Sequence, residues 1–216
     1  MTNWEKILQN NVLGAIGIGA YELNKDNFKW LKKEIVRAKK KAIKNNKQLI
    51  GHIKEEYLIS QCEESFESFL IECLKNPRHQ GTLKNNKYDI FLGKKLGFIK
   101  LDSMWVNYQK KYEFNPLHDH SGVFSFVIFV KIPYDLKKED NYFNELDKTK
   151  QQVHNSRLCF VNTKADGEIH STAIDVDKSF EGKMFLFPSI QQHLVYPFYT
   201  SNDYRITISG NLKFKL

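Results

Sequence analysis

The sequence lacks the features that mark membrane and secreted proteins. No uncharged apolar run among its 216 residues approaches the roughly 20 residues that a membrane-spanning helix needs. The first residues lack the basic segment and apolar stretch of a secretory signal peptide. Cys62, Cys73 and Cys159 form no Cys-x-x-Cys pair, and an odd number of scattered cysteines is typical of reduced thiols. These absences predict a cytoplasmic protein without a membrane segment.

The sequence also lacks the patterns of a flexible linker and of a phosphate-binding loop. The chain has 5 prolines and no long Gly/Ser-rich stretch, so two flexibly joined domains have no support. Gly17-x-Gly19 lacks the third glycine and the preceding strand of a dinucleotide-binding loop, which indicates a close-packed strand or turn instead. Hydrophobic residues make up 41% of the chain and aromatic residues 13%, enough for a sizeable core. We expect one compact domain, in which residues 1–87 form a helical layer packed on a β-rich core of residues 88–216.

Positive charge is in excess, with a formal net charge of +8, and much of it lies between Lys32 and Lys47. A basic helix of this kind could contact a polyanion such as nucleic acid. A chain rich in lysine and asparagine because its genome is rich in A and T would have the same composition. Net charge bears on association rather than on fold, so both interpretations stay open.

Two segments before residue 88 have helical periodicity. In Asn27–Asn45, apolar residues recur along one face and lysines cover the rest. In Leu58–Leu74, an apolar stripe includes Cys62 and Cys73, which we expect to pack inside as small hydrophobic side chains.

The remainder of the chain has the short β-branched and aromatic runs of strands. We predict strands near Phe98–Leu101, Met104–Gln109, Phe124–Ile132, Leu158–Asn162, Ile169–Ile174, Lys183–Phe187, His193–Tyr196 and Tyr204–Phe214. Asp166-Gly167 predicts a hairpin turn, and Asp135–Val153, without clear periodicity, predicts a long loop. The fold class expected is mainly β with N-terminal helices (α+β), as a sandwich or jelly roll.

Two of the seven histidines lie one residue apart, in Asn115-Pro116-Leu117-His118-Asp119-His120. In an extended segment His118 and His120 point to the same side, and Asp119 faces away. His193 lies far along the chain. Two close ligands and a distant third are the usual construction of a protein metal site, and a facial set with open positions suits non-haem Fe(II).

Arg205 begins a strand on which Arg205, Thr207 and Ser209 share one face. A guanidinium binds a carboxylate with two hydrogen bonds, and a nearby hydroxyl can add a third. An arginine on an otherwise apolar strand needs such a partner, because an unpaired buried charge is costly. Tyr108, with its neighbours Asn107 and Gln109, could also bind a co-substrate, depending on which side of the strand faces inward.

These motifs together resemble the 2-oxoglutarate and Fe(II)-dependent oxygenases, most closely those of bacteriophages and some marine bacteria. The resemblance covers roughly residues 95–216, judged on the order of the motifs. It implies a double-stranded β-helix, a cupin-like jelly roll, with Fe(II) and 2-oxoglutarate as cofactor and co-substrate. It also implies that His118 and His193 bind the metal, and that Arg205, helped by Thr207 or Ser209, binds the far carboxylate of 2-oxoglutarate. The activity implied is a dioxygenase, either a hydroxylase or an oxidative demethylase, that converts 2-oxoglutarate to succinate.

One position departs from the family pattern. The usual carboxylate two residues after the first histidine is replaced by His120. Either three imidazoles hold the metal, in which case Zn, Ni or Co could compete with iron, or a turn brings Asp119 inward. The departure leaves a second hypothesis open, a cupin-like binding module that is non-catalytic or holds another metal. The substrate could be a small molecule, a protein or a nucleic acid, and the sequence does not indicate an oligomeric state.

Overall fold

The computed structural model of the chain describes residues 1–9, 13, 17–45, 50–77, 79, 99–144, 154–164 and 166–214. Within these ranges, ten strands form two sheets: β1 (Gly19–Glu22), β2 (Glu55–Leu58), β3 (Ile99–Gln109), β4 (Asn115–His118), β5 (Phe124–Lys131), β6 (Leu158–Thr163), β7 (Ile169–Ile174), β8 (Lys183–Pro188), β9 (His193–Val195) and β10 (Arg205–Phe214). The same ranges contain four α-helices: α1 (Asn3–Gln9), α2 (Lys25–Lys41), α3 (Glu64–Leu74) and α4 (Leu136–Asn144). No helix in these ranges is long and apolar enough to cross a membrane.

The strands form a major and a minor sheet. The major sheet has six strands in the order β1-β8-β5-β10-β3-β2, and the minor sheet has four in the order β4-β9-β6-β7. Every pairing is antiparallel. The mainly-β class with helices placed early in the chain is confirmed.

The two faces of the major sheet have different partners because successive side chains of a strand point to opposite sides. One face packs on α2 and α3, where Phe66 and Leu31 are fully buried. The strand residues on this face include Met104, Val106, Phe126, Ile128, Met184, Leu186, Ile208 and Leu212. Each large apolar side chain buried here contributes roughly 1.5–3 kcal/mol.

The opposite face of the major sheet packs on the minor sheet. Phe129, Phe185 and Phe187 from the major sheet join Leu158 and Phe160 from the minor sheet in a second core. This core closes one end of the space between the sheets, and the polar residues described below line the other.

The longest described helix, α2, begins and ends where its sequence dictates. Asn24 caps its N-terminus by accepting a hydrogen bond from the Asn27 amide at 2.8 Å. The helix ends at Ala42, which adopts a left-handed conformation with φ 53°. The apolar face carries Trp30 and Leu31 into the core, whereas the lysines remain exposed. The predicted helix over Asn27–Asn45 is therefore confirmed, with an earlier end.

Three predictions for the remaining segments need correction. The helix expected over Leu58–Leu74 begins only at Glu64, because Glu55–Leu58 pairs with β3 as a strand. Cys62 precedes the helix and is exposed, so it is not packed inside, whereas Cys73 is buried as expected. The loop expected over Asp135–Val153 contains α4, and its residues 145–153 lie outside the described ranges.

The N-terminal segment also contributes more than helices. Its two short strands β1 and β2 form the two edges of the major sheet, against β8 and β3. The close-packed strand expected near Gly19 is thus present as β1. The boundary expected between residues 87 and 88 lies outside the described residues.

Candidate metal centre and adjoining cavity

The minor sheet brings the three predicted histidines together. His118, at the end of β4, pairs directly with His193, at the start of β9. His120 follows β4, and its amide donates a hydrogen bond to the Ser189 carbonyl at 2.9 Å. The ring centroids of His118 and His193 are 4.3 Å apart, and that of His120 lies 5.0 and 5.1 Å from them. One potential ligand atom from each ring lies within 4.8 Å of the others, close enough to share one metal ion.

Backbone carbonyls orient two of these rings. His118 Nδ1 lies 2.7 Å from the Pro116 carbonyl, and His193 Nδ1 lies 2.9 Å from the Gln191 carbonyl. Each carbonyl belongs to the residue two positions before its histidine. An Nδ1–H donated to a carbonyl leaves Nε2 unprotonated as the metal-binding nitrogen.

The surroundings also favour the neutral form of all three rings. Burial, with repulsion from His118 as the second cause, lowers the pKa of His193 to about 3. Burial and the same neighbour lower the pKa of His120 to about 4, and burial lowers the pKa of His118. Neutral imidazole is the form that binds metal, so the cluster has the protonation state that a divalent ion requires.

Among the described residues, the group of potential ligands contains His120 rather than Asp119. Asp119 is exposed and lines the cavity beside the cluster. Of the two alternatives drawn from the sequence, the three-imidazole arrangement is therefore the one that the cluster matches.

A cavity of about 190 Å³ adjoins the three histidines and extends between the two sheets. Its apolar wall includes Phe187 and Val195, and Trp105 lies with its ring 5.8 Å from that of His120. Its polar wall is the inner face of the major sheet, with Arg205, Thr207, Ser209 and Asn211 from β10 and Asn107 and Gln109 from β3.

Arg205 is buried in this wall, with 3% of its surface exposed. Gln109 Oε1 accepts hydrogen bonds from Nε at 2.9 Å and from Nη2 at 2.5 Å. Nη1 donates to the Ser156 carbonyl at 2.8 Å and to the Tyr134 hydroxyl at 3.2 Å, and Nη2 also donates to the Tyr196 carbonyl at 3.3 Å. All these acceptors are neutral.

Within the described ranges no carboxylate forms a salt bridge with Arg205. Buried charges are normally paired, because an unpaired charge in a protein interior is costly. A buried guanidinium whose acceptors among the described residues are all neutral, on the wall of a cavity, therefore fits an anionic ligand such as one carboxylate of 2-oxoglutarate.

Thr207 and Ser209 lie on the same wall as Arg205, as the strand pattern predicts. The Asn107 amide Nδ2 donates to Thr207 Oγ1 at 3.1 Å and to Ser209 Oγ at 3.2 Å. A hydroxyl that accepts one hydrogen bond can still donate its own proton. Both hydroxyls are thus suited to donate to an anion beside Arg205.

Tyr108, which the sequence suggested as a residue that could bind the co-substrate, does not line the cavity. It faces the opposite side of β3 from Asn107 and Gln109, because side chains alternate along a strand. Its hydroxyl lies 3.4 Å from the Ile35 carbonyl, within the core under α2. Of the three neighbours considered on this strand, Asn107 and Gln109 face the cavity.

Four residues of the site were not anticipated from the sequence. Tyr134 and Ser156 hold the Arg205 guanidinium, and Glu56 and Asn115 line the cavity. Asn115 stands in the motif before His118, which is a local signal, whereas Glu56 lies on an edge strand that the sequence had not indicated.

Comparisons with known proteins agree with this geometry. A family model described as "Putative 2OG-Fe(II) oxygenase" matches residues 103–211, just over half of the chain and all three histidines. No match is found among curated proteins.

Two solved structures are similar in fold. A prolyl-4-hydroxylase from Pseudomonas putida superposes with a TM-score of 0.51 at 14% identity, covering 100% of both chains. A prolyl hydroxylase from Trichoplax adhaerens, in complex with a peptide fragment of the hypoxia inducible factor oxygen degradation domain, superposes with a TM-score of 0.50 at 11% identity, covering 99% of this chain and 90% of that one.

The fold expected from the sequence, a double-stranded β-helix, is therefore confirmed. With the family model spanning the histidine cluster and Arg205, the chain belongs to the 2-oxoglutarate and Fe(II)-dependent oxygenases and is an oxidoreductase whose cofactor and co-substrate are Fe(II) and 2-oxoglutarate.

Proposed function

We propose that His118, His120 and His193 hold Fe(II) through their Nε2 atoms and that Arg205 binds the far carboxylate of 2-oxoglutarate. The observation that carries this proposal is the convergence, on one cavity, of three neutral imidazoles and a buried guanidinium that no carboxylate of the described residues pairs with. When bound, the iron and the oxo acid supply an oxidation by dioxygen that yields succinate and carbon dioxide and oxidises a C–H bond of the substrate.

In this proposal the residues of the chain hold and orient the iron and the oxo acid, and they do not donate or accept protons in the reaction. The Pro116 and Gln191 carbonyls fix the rings of His118 and His193. Such outer contacts typically change metal affinity or activity by about 10–100-fold when removed. The apolar residues Phe187 and Val195 exclude water from the space beside the rings, since they line it without offering hydrogen bonds.

At the other end of the cavity, Arg205 fixes the direction of the oxo acid. Hydrogen bonds with one charged partner are roughly twice as strong as neutral ones, so a carboxylate would compete with the neutral oxygens that now surround the guanidinium. Thr207 and Ser209 would donate to the same carboxylate while they accept from Asn107.

The reaction is either a hydroxylation or an oxidative demethylation. The two similar structures are prolyl hydroxylases, one of them with a peptide bound, which supports a hydroxylation and a peptide among the possible substrates. Membership of an oxygenase family favours an enzyme over the non-catalytic cupin-like module. Contact of the Lys32–Lys47 segment with a polyanion stays a prediction, and Lys47 lies outside the described residues.

The test is turnover of 2-oxoglutarate by the purified protein with Fe(II) and dioxygen. We expect succinate to form slowly without a substrate, and His193→Ala to bind no iron and form none, because one ligand of three is lost. His170→Ala is the matched control, since His170 is exposed on β7. The proposal is wrong if the iron-loaded protein has no affinity for 2-oxoglutarate, or if His193→Ala retains both iron and turnover.

A further inference from the structure

A polar row crosses the inner face of the major sheet beyond Arg205. Asn107 on β3 pairs with Thr207 on β10 on one side and with Glu56 on β2 on the other. Directly opposed residues on antiparallel strands have their Cβ atoms about 5 Å apart. Glu56 and Asn107 are 4% and 5% exposed, and both line the cavity that the histidines and Arg205 adjoin.

Two amide oxygens of residues that line this cavity are buried and have no hydrogen-bond partner among the described residues. They are Asn107 Oδ1 and Asn115 Oδ1. The amide nitrogen of Asn107 is already engaged with the two hydroxyls of β10, so its oxygen points away from them. A buried acceptor left unsatisfied costs about 1–3 kcal/mol, and a ligand that donates a hydrogen bond to it removes that cost.

Glu56 adds to these acceptors a carboxyl group that is negatively charged once it loses its proton. Burial and repulsion from Glu113 raise the pKa of Glu56 to about 7, because the charged form is poorly solvated there. A cation placed beside it would stabilise the ionised form. Ile53, 6% exposed, and Ile50 line the same part of the cavity and offer apolar contact to a hydrocarbon chain.

The two polar parts of the cavity therefore differ in sign. Arg205 and the two hydroxyls form a donor-rich part that fits a carboxylate, whereas Glu56 and the two amide oxygens form an acceptor-rich part that repels one. A second molecule, and not the oxo acid, is the ligand that fits the acceptor-rich part.

We propose that Glu56, Asn107 and Asn115 form the substrate subsite and that the substrate presents there a positively charged nitrogen with N–H donors, an amine or a guanidine. This inference deepens the proposed function and rests on it. The cavity of about 190 Å³ is shared with 2-oxoglutarate and is smaller than the pockets of about 300–1,000 Å³ that hold drug-sized ligands, so only a side-chain-sized part of the substrate would enter it.

The experiment compares cations with their neutral isosteres. Methylguanidinium is titrated against N-methylurea, and n-butylammonium against butan-1-ol, into the protein loaded with Fe(II) and 2-oxoglutarate under anaerobic conditions, with binding measured by calorimetry. We expect each cation to bind at least tenfold more tightly than its neutral partner, since a charged ligand pairs with Glu56.

Two variants localise that preference. Glu56→Gln keeps the size of the side chain and is expected to abolish the preference for cations, while iron content and the affinity for 2-oxoglutarate are retained. Glu55→Gln is the matched control, because Glu55 is the adjacent residue on β2 and its carboxylate contacts Tyr204 and Lys39 instead. Asn115→Asp, which adds a second negative charge, is expected to raise cation affinity severalfold.

The inference is overturned if cations and neutral isosteres bind equally, if no cation binds, or if Glu56→Gln retains the preference. These outcomes are independent of catalysis. Loss of the proposed function would appear as absent 2-oxoglutarate binding and absent succinate in the unmodified protein, whereas failure of the subsite leaves both intact.

Discussion

The two walls of the cavity handle charge differently. The minor-sheet wall carries three neutral imidazoles, whose burial lowers their pKa values, and it is suited to receive a cation. The major-sheet wall carries the permanently charged Arg205, buried among neutral oxygens, and is suited to receive an anion. A chelating dicarboxylate that joins a metal to a guanidinium satisfies both walls together.

The walls also differ in what holds their side chains in place. The rings of His118 and His193 are oriented by carbonyls two residues earlier in the same segment. Arg205 is oriented by Gln109, Tyr134 and Ser156, which are 96, 71 and 49 residues away along the chain. The ring orientation of His118 and His193 is thus locally specified, although their convergence needs the pairing of β4 with β9, whereas the orientation of Arg205 depends on residues far along the chain.

The largest expected effect comes from removing the charge difference between the walls. Gln109→Glu places a carboxylate of the same size against the guanidinium of Arg205 and neutralises it. We expect affinity for 2-oxoglutarate to fall about 100-fold, because Arg205 would no longer be free to pair with the carboxylate of 2-oxoglutarate. Loss of one buried charge pair costs about 2–5 kcal/mol of binding free energy. Titration of 2-oxoglutarate into the iron-loaded variant measures this.

Gln109→Met is the control for this prediction. It removes the hydrogen bonds from Arg205 to Gln109 Oε1 without adding charge, so its loss of affinity should be much smaller. Equal losses in both variants would show that the position of the guanidinium, and not its charge, governs binding. Iron content should be unchanged in both variants, because Gln109 lies on the major-sheet wall whereas the histidines lie on the minor-sheet wall.

The next effect tests burial of a carboxyl on the major-sheet wall. The pKa of Glu56 is raised from 4.5 to about 7, so between these pH values the unfolded chain ionises while the folded protein keeps its proton. Stability is therefore lost as pH rises through this window and stays lower above it. Glu56→Gln should remove that loss, so at pH 8 the unfolding free energy of the variant should exceed that of the original protein by about 1–3 kcal/mol.

Urea denaturation of the metal-free proteins at pH 4.5 and pH 8 checks the prediction. The difference in unfolding free energy between the two proteins isolates Glu56 from other titrating groups. A difference that does not grow between the two pH values would contradict the raised pKa. Glu113 is the carboxylate that repels Glu56, so Glu113→Gln should shrink the same difference.

A third change tests the metal preference of the ligand set on the minor-sheet wall. His120→Asp restores the carboxylate that the family usually has at this position and adds negative charge to the ligand set. Nitrogen ligands favour Zn, Ni and Cu, whereas carboxylates suit harder ions, so we expect the preference for Fe(II) over Zn(II) to increase about tenfold. Metal competition followed by elemental analysis measures it. His120→Asn has the same shape without the charge and should not show the increase.

The contrast between the walls explains what the sequence could predict. His118 and His120 were predicted as a pair because residues two apart on a strand share a face, and Arg205, Thr207 and Ser209 follow the same rule. His193 was predicted as the distant third ligand that a protein metal site usually has. Gln109 was considered with Tyr108, but the side of β3 that faces the cavity depends on which face packs on α2. Tyr134 and Ser156 had no sequence signal, since they reach Arg205 only through tertiary packing.

The fold shows the same division between local and non-local information. Except for β4, the described strands of residues 99–214 were predicted from their β-branched and aromatic runs, with β3 expected as two separate strands, and the helix over Asn27–Asn45 was predicted from its apolar face. Glu55–Leu58 was not predicted as a strand, and its last residue was placed in a helix, because the segment is short and its pairing with β3 decides its conformation. The helix Leu136–Asn144 was missed because most of its side chains remain polar and partly exposed.

The smallest predicted effect concerns Tyr134, a partner of Arg205 that is not among the residues lining the cavity. The Tyr134 hydroxyl accepts a hydrogen bond from Arg205 Nη1 and donates one to the Ser156 carbonyl, both at 3.2 Å. Tyr134→Phe removes both contacts but leaves the Nη1 bond to Ser156. We expect a loss of about 1 kcal/mol in unfolding free energy, the typical net contribution of one hydrogen bond. Affinity for 2-oxoglutarate should fall by about fivefold or less, because each 1.4 kcal/mol corresponds to tenfold.

Tyr112→Phe, at an exposed phenol whose hydroxyl contacts Tyr142, is the control: it also removes one hydrogen bond but should leave 2-oxoglutarate affinity unchanged. If Tyr134→Phe lowers stability but leaves 2-oxoglutarate affinity unchanged, Gln109 and the two carbonyls suffice to aim the guanidinium. If affinity falls as far as in Gln109→Glu, the position of Arg205 is as important as its charge. The ratio of the affinity losses in Tyr134→Phe and Gln109→Glu therefore compares two contributions to 2-oxoglutarate binding, the packing that positions Arg205 and the charge of its guanidinium.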